Sequence, residues 1–212
     1  MNLPVFVSTA VPTGDRLTEV IQSPGIWLIR HFALGPYGTN IEQAARQWSA
    51  RLEVEDKSKL TMHATPEEAL LAARSVEAEG VLPLFWTCAV YFRENQLFFE
   101  NPDTLPFLVA ETMNLDEMQL AMRPGADEFV AGMRVASHLS PAPLLKDASV
   151  EIVAANSNAA AALMCANGEV DACITTESAR RIHGLQQVHS FGSPPMVFFG
   201  GTTQHGIAVL GG

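Results

Sequence analysis

Two stretches bring together residue types that could do chemistry on an anion. In Gly35-Pro36-Tyr37-Gly38-Thr39-Asn40, the glycines permit positive φ and close approach of a ligand to main chain. Pro36 stiffens the turn, and Thr39 or Asn40 can cap a helix starting near Ile41. A helix start that offers its N–H groups attracts carboxylate or phosphate. The second stretch is His138, which ends an apolar strand just before a helix N-terminus, where an anion and a proton shuttle could meet. Both have plainer alternatives: Gly/Pro turns between strand and helix are common, and a single His is often structural. Arg30 and His31 lie on the strand that feeds the glycine turn. Either one of them faces a ligand or both face solvent or an interface, and alternation does not choose. Glu177, after Thr176, can charge a helix N-terminus or join the chemistry. Thr87-Cys88 could be read as a nucleophile, but no base is tied to Cys88, which reads better as a buried thiol.

The elements that must position these residues follow from hydrophobic periodicity. Residues 1–24, with Pro4, Pro12, Gly14 and Pro24, read as an extended arm docked on a partner subunit. An apolar run from Ile26 to Leu34 predicts a strand, and Ile41 to Ala50 a helix with Ala44, Ala45 and Trp48 on one face. Thr65-Pro66-Glu67-Glu68 is a capping box, predicting a helix that continues through Ala69–Glu79 until Gly80. Strands are predicted at Val81–Phe85, Leu105–Met113, Met118–Met122, Met133–Ser137, Val150–Ala154, Ala172–Ile174, around Val188 and at Met196–Phe199. Helices are predicted at Pro141–Lys146, Asn158–Ala166 and Ser178–His183. Strands alternating with helices mean an α/β protein with mostly parallel sheet.

The 212 residues suffice for one large domain or two small lobes. With 13 basic against 23 acidic residues, a net charge of −10 and no Lys/Arg cluster, nucleic acid is excluded as a partner. An anionic guest must then be held by local donors against the overall field. No apolar run is long enough to span a membrane, and the N-terminal residues lack the pattern of a secretory signal; a cytoplasmic protein is expected, with no membrane partner. The three cysteines, with no C-x-x-C spacing, argue against a disulfide frame and a zinc cluster.

Several segments in order resemble the prephenate dehydratase family, and more closely its non-aromatising branch, the prephenate decarboxylases of antibiotic pathways. Ala33-Leu34-Gly35-Pro36-Tyr37-Gly38-Thr39-Asn40 with Ala44-Ala45 is similar to the family's Leu-Gly-Pro-x-Gly-Thr and paired Ala. Ser137-His138-Leu139-Ser140-Pro141 resembles the decarboxylases' Ser-His-Pro-Ser-Pro. The longest match comprises Asn156–Ala161, Gly168–Ala172, Thr175–Arg180 and His183-Gly184-Leu185. The resemblance implies a two-lobed, type 2 periplasmic-binding-protein-like α/β fold, that of the dehydratase catalytic domain, without the regulatory ACT domain. Residues 25–112 with 192–212 would form lobe 1, and 113–191 lobe 2. It further implies that the lobes clasp a small anionic cyclic carboxylate, and that the family's usual homodimer applies. Gly38, Thr39, Asn40, Ser140, Thr175 and Glu177 would bind substrate, with Thr87, His138 and Thr176 in the chemistry. Trp86 would join Phe85, Phe92 and Phe99 in an apolar wall that strips water from the reacting carboxylate, unless these rings are plain core.

Departures from the family matter as much. Dehydratases carry Pro-Ile-Glu-Asn-Ser where this chain has Pro83-Leu84-Phe85-Trp86-Thr87, and Thr-Arg-Phe where it has Pro194-Pro195-Met196-Val197-Phe198. The decarboxylases instead have Ile-Pro-Met, closer to Pro194-Pro195-Met196, but their His and Asp on the preceding strand become Leu84 and Thr87 here. The resemblance therefore implies a cofactor-free, metal-free lyase that decarboxylates prephenate or a similar cyclic carboxylate without aromatising it. Two rivals remain. One is a dehydratase-like enzyme of tropone-type sulfur antibiotic pathways, acting on a ring compound from phenylacetate catabolism; the other is a non-catalytic carboxylate-binding protein.

Overall fold

The computed structural model describes Phe6, residues 11–126 and residues 128–211. The chain forms two compact units: residues up to Met113 together with those from Met196 onward, and Asn114–Pro195.

The first unit begins with α1 (Gly14–Gln22), which buries Leu17 and Ile21. Lys57 Nζ clamps its end by donating to the carbonyls of Ile21 at 2.7 Å and Ile26 at 2.8 Å. The expected extended arm is therefore corrected over this span: two apolar residues four apart give a helix a face to bury on its own unit. Residues 1–5 and 7–10 of that arm lie outside the described residues. β1 (Leu28–Leu34), α2 (Asn40–Arg51), β2 (Ser58–His63), α3 (Pro66–Arg74), β3 (Val81–Cys88), α4 (Glu94–Phe99) and β4 (Leu105–Asn114) follow. The second unit holds β5 (Met118–Met122), β6 (Arg134–Ser137), β7 (Glu151–Ala154), α5 (Asn158–Ala166), β8 (Ala172–Thr176), α6 (Glu177–Ile182) and β9 (Gln186–Gly192). The chain then returns to the first unit as β10 (Pro195–Thr202) and α7 (Gln204–Val209).

Each unit is built on a five-stranded sheet, ordered β2-β1-β3-β10-β4 and β7-β6-β8-β5-β9. β1, β2 and β3 run parallel, as do β6, β7 and β8, whereas β10 runs antiparallel to β3, and β5 to both β8 and β9. The sheets are mixed rather than mostly parallel, because the chain leaves and re-enters the first unit through connections that reverse direction. Alternate residues of β1 and β3 serve opposite faces. Phe32 and Phe85 pack with Ala69, Leu70 and Ala73 of α3, while the His31 and Trp86 rings meet Trp48 of α2. With both faces covered, β3 is apolar from Val81 to Trp86.

One arm of the capping box forms as predicted, Thr65 Oγ1 accepting from the Glu68 N–H, while Glu68 Oε2 reaches one residue further back to accept from the Ala64 N–H, both at 3.1 Å. The helix nevertheless ends at Arg74, short of Glu79, because Ser75 Oγ turns back onto the Ala72 carbonyl and Val76 drops into the core. The helix predicted at Pro141–Lys146 is only a 3-10 turn, Ala142–Leu145.

Gly201 of β10 lies where a Cβ would sit 2.7 Å from the Pro106 carbonyl oxygen and Cα. Backbone cannot yield as a side chain can. Gly201→Ala is expected to lower stability by about 3 kcal/mol, read as a reduced urea midpoint.

Candidate active site

In open α/β sheets, ligands settle beyond the carboxyl ends of strands where the strand order reverses. In the first unit the chain goes from β1 outward to β2 and then back past it to β3, so this place is the ends of β1 and β3. β1 delivers the Gly35–Asn40 bend there. Gly35 is needed for space, since a Cβ would meet Met62 Cε and Thr39; Gly38 is needed for its φ of +88°. Thr39 caps α2 by accepting from the Glu42 N–H at 3.4 Å. The Gly38 N–H already has an acceptor, Glu42 Oε2 at 2.5 Å, and Glu42 Oε1 pairs with Arg46 at 2.8 Å. The chain's own carboxylate thus occupies part of the anion cradle foreseen at this bend. A groove of about 550 Å³ runs along it, lined by Tyr37, Gly38, Thr39, Glu42 and Arg46 among others.

β3 delivers Thr87, fully buried, whose Oγ1 donates to Glu94 Oε2 at 2.6 Å. Glu94 Oε1 is buried and has no partner among the described residues. Burial raises the Glu94 pKa above the usual carboxylate value; the Thr87 hydrogen bond opposes this and the charge of Glu67 adds to it. Glu67 itself accepts from the Tyr91 hydroxyl at 2.9 Å and faces Arg93 at 3.4 Å. Cys88 next door is held as a thiol, its pKa pushed up to about 11 chiefly by burial, which removes the nucleophile reading. At the end of β2, the His63 Nε2 is likewise buried without a partner among the described residues.

Trp86 does not take the place expected of it in a substrate wall. It has no exposure, and its indole N–H donates to His31 Nδ1 at 2.9 Å, so it belongs to the core. Phe85 is core too, while Phe92 and Phe99 are exposed. His31 is neither solvent-facing nor at an interface: it is 2% exposed, and its Nε2 lies 3.2 Å from both Ser49 Oγ and Ser58 Oγ. Accepting at Nδ1 places its proton on Nε2. Burial first, and the Arg46 charge second, depress its pKa to about 3.

In the second unit the corresponding strand ends are those of β6 and β8. His138 follows β6, half-buried, and burial lowers its pKa. The Ser140 N–H donates to its Nδ1 at 3.3 Å, so the neutral ring carries its proton on Nε2. Thr175 is buried and donates to the Asn158 carbonyl at 2.8 Å. Thr176 caps α6 through the Ala179 N–H at 3.4 Å. Glu177 pairs with Arg181 at 2.5 Å, the surface helix role foreseen as its alternative. Asn158, first residue of α5, has a buried Oδ1 with no partner among the described residues. Sequence reasoning missed Glu94, His63 and Glu42. Only Glu42 carried a signal, standing three residues after Thr39 as the acid of a capping box.

Among the described residues, no helix is long and apolar enough to cross a membrane, and no group of three or more His, Cys, Asp or Glu could hold a metal. No family model matches the chain. A Bacillus subtilis protein named prephenate decarboxylase is 32% identical over 180 residues, covering 80% of this chain and 84% of its own. The chain belongs to the prephenate decarboxylase family. A second prephenate decarboxylase, from Bacillus subtilis (strain 168), is 30% identical over 203 residues, covering 91% of this chain and 93% of its own. Among solved structures, the periplasmic VFT2 domain of Bordetella pertussis BvgS has a TM-score of 0.59 at 18% identity, covering 95% of this chain and 92% of that one. Prephenate dehydratase from Staphylococcus aureus has a TM-score of 0.50 at 11% identity, with 82% and 66% covered. These likenesses bear out the fold class: the family is built on the periplasmic-binding-protein-like α/β architecture that the dehydratase catalytic domain shares.

Proposed function

We propose that the protein is a lyase that decarboxylates prephenate, or a closely similar cyclic carboxylate, without aromatising its ring. The observation that carries this is the 32% identity to a prephenate decarboxylase across most of both chains. In such a step the bond from ring carbon to carboxylate breaks, and its electron pair forms a new ring double bond. The displaced π pair takes one proton at a ring carbon, carbon dioxide leaves, and the ring hydroxyl stays. The Gly38–Asn40 main chain with the Thr39 hydroxyl supplies donors for a carboxylate of the substrate. Thr175 and Trp86 are buried and already bonded to the Asn158 carbonyl and to His31, so neither offers the substrate a donor. The resemblance to the antibiotic-pathway branch supports specialised metabolism as the setting and a cytoplasmic homodimer as the working form.

The test is to incubate the purified protein with prephenate at neutral pH. Appearance of the ultraviolet band of a conjugated ring diene, with carbon dioxide release and no phenylpyruvate, is expected. Phenylpyruvate formation would make it a dehydratase, and prephenate bound but recovered unchanged would make it a binding protein.

A further inference from the structure

Decarboxylation without aromatisation consumes one proton at carbon, so the site needs an acid that is protonated near neutral pH and shielded from water. Titratable groups at the strand ends sort clearly. Burial holds the Cys88 thiol near pKa 11. Burial and the Glu67 carboxylate push the Tyr91 phenol above its ordinary value. His138, lowered by burial, is a neutral imidazole at pH 7 and a weak acid.

We infer that Glu94, oriented by Thr87, is the acid that delivers the proton to the ring carbon; this rests on the decarboxylase reading above. Three observations converge on it. Glu94 stands just beyond the end of β3, the side of the strand-order reversal where the glycine bend also lies. The Thr87 hydroxyl donates to Oε2 at 2.6 Å, which leaves Oε1 to carry the acidic proton. Oε1 is buried with no partner among the described residues, so none of them competes for that proton. Burial shifts Glu94 towards the neutral carboxylic acid, the direction a proton donor needs. In the step, the O–H bond at Oε1 breaks, the proton joins the ring carbon as the carboxylate carbon departs, and Glu94 is left as a carboxylate that Thr87 stabilises. Solvent then returns the proton. This gives Thr87, the only hydroxyl left where dehydratases carry Glu-Asn-Ser, a positioning role rather than contact with substrate.

The experiment is steady-state kinetics with prephenate on the wild type, Glu94→Gln and Thr87→Val, each checked for folding by circular dichroism. Glu94→Gln is expected to lower kcat about 100-fold or more with KM within about threefold. Because activity requires protonated Glu94, it is lost as pH rises through that pKa. Thr87→Val removes the donor that favours the carboxylate, so the high-pH limb of kcat should move upward. Should Glu94→Gln not fold, Glu94→Asp, which keeps the acid but withdraws it by one methylene, should slow turnover about tenfold or more. A wild type active on prephenate with a Glu94 variant at wild-type kcat, or a Thr87→Val profile whose limb stays put, overturns the assignment alone. A wild type inert towards prephenate overturns the decarboxylase reading and the assignment with it.

Discussion

Trp86→Ala should cost about 4–6 kcal/mol, a large share of the roughly 5–15 kcal/mol that holds a native protein folded. The indole packs edge-on to Trp48 with centroids 6.0 Å apart, lies under Gly200, and donates the hydrogen bond that His31 Nδ1 accepts at 2.9 Å. Truncation leaves a large cavity and a buried acceptor with no donor, and the penalties add. Trp86→Phe refills most of the volume and loses mainly the N–H, so it should cost about 1–3 kcal/mol. Urea midpoints of the two variants check the ordering. Because the ring is core, Trp86→Phe should leave KM for substrate within about twofold; a large rise in KM with stability unchanged would put the ring against substrate after all.

The second large effect is an acid instability centred on the same cluster. Unfolded, His31 takes a proton near pH 6.5; folded, burial and Arg46 prevent this until about pH 3. Stability is therefore complete above pH 6.5 and drains away as pH falls towards 3, by about 1.4 kcal/mol per pH unit and roughly 3–5 kcal/mol in all. His31→Gln removes the ionisation and keeps an acceptor for Trp86. Its stability profile between pH 7 and 5 should be flatter than that of the wild type, because every other group, Glu94 included, is common to both proteins. Parallel profiles would show that another group carries the acid response.

The elements that were legible in the sequence are those whose ends are written locally. α5 runs from Asn158 to Ala166 as predicted, because Ser157 caps it at 3.0 Å and Asn167-Gly168 stops it, with Gly168 at φ +79°. β2 was not legible: Ser58–His63 mixes charged and apolar residues, and its strand state comes from pairing with β1. α7 was hidden by Gly206 in its middle, a glycine the fold requires because a Cβ there would collide with the Thr202 hydroxyl. The candidate site divides the same way. The Gly35–Asn40 bend and the His138 turn announce themselves by residue type, whereas Glu94 meets Thr87 only because the chain turns back after Cys88. No spacing rule marks a partnership across such a turn. Trp86 misled because an aromatic beside a reactive threonine reads alike whether its face is core or ligand; strand alternation settles it only once the helix covering each face is known.

One feature of the glycine bend constrains any guest that seeks it. With Glu42 on the Gly38 amide and Arg46 on Glu42, an arriving carboxylate does not fill an empty seat but evicts a tenant. Its gain there is only the difference between two similar ions competing for the same donor, and the displaced side chain keeps Arg46 as its counter-ion. Such an exchange favours a dianion with a second grip elsewhere over simple monocarboxylates, so selectivity at this bend would come from rivalry rather than from affinity.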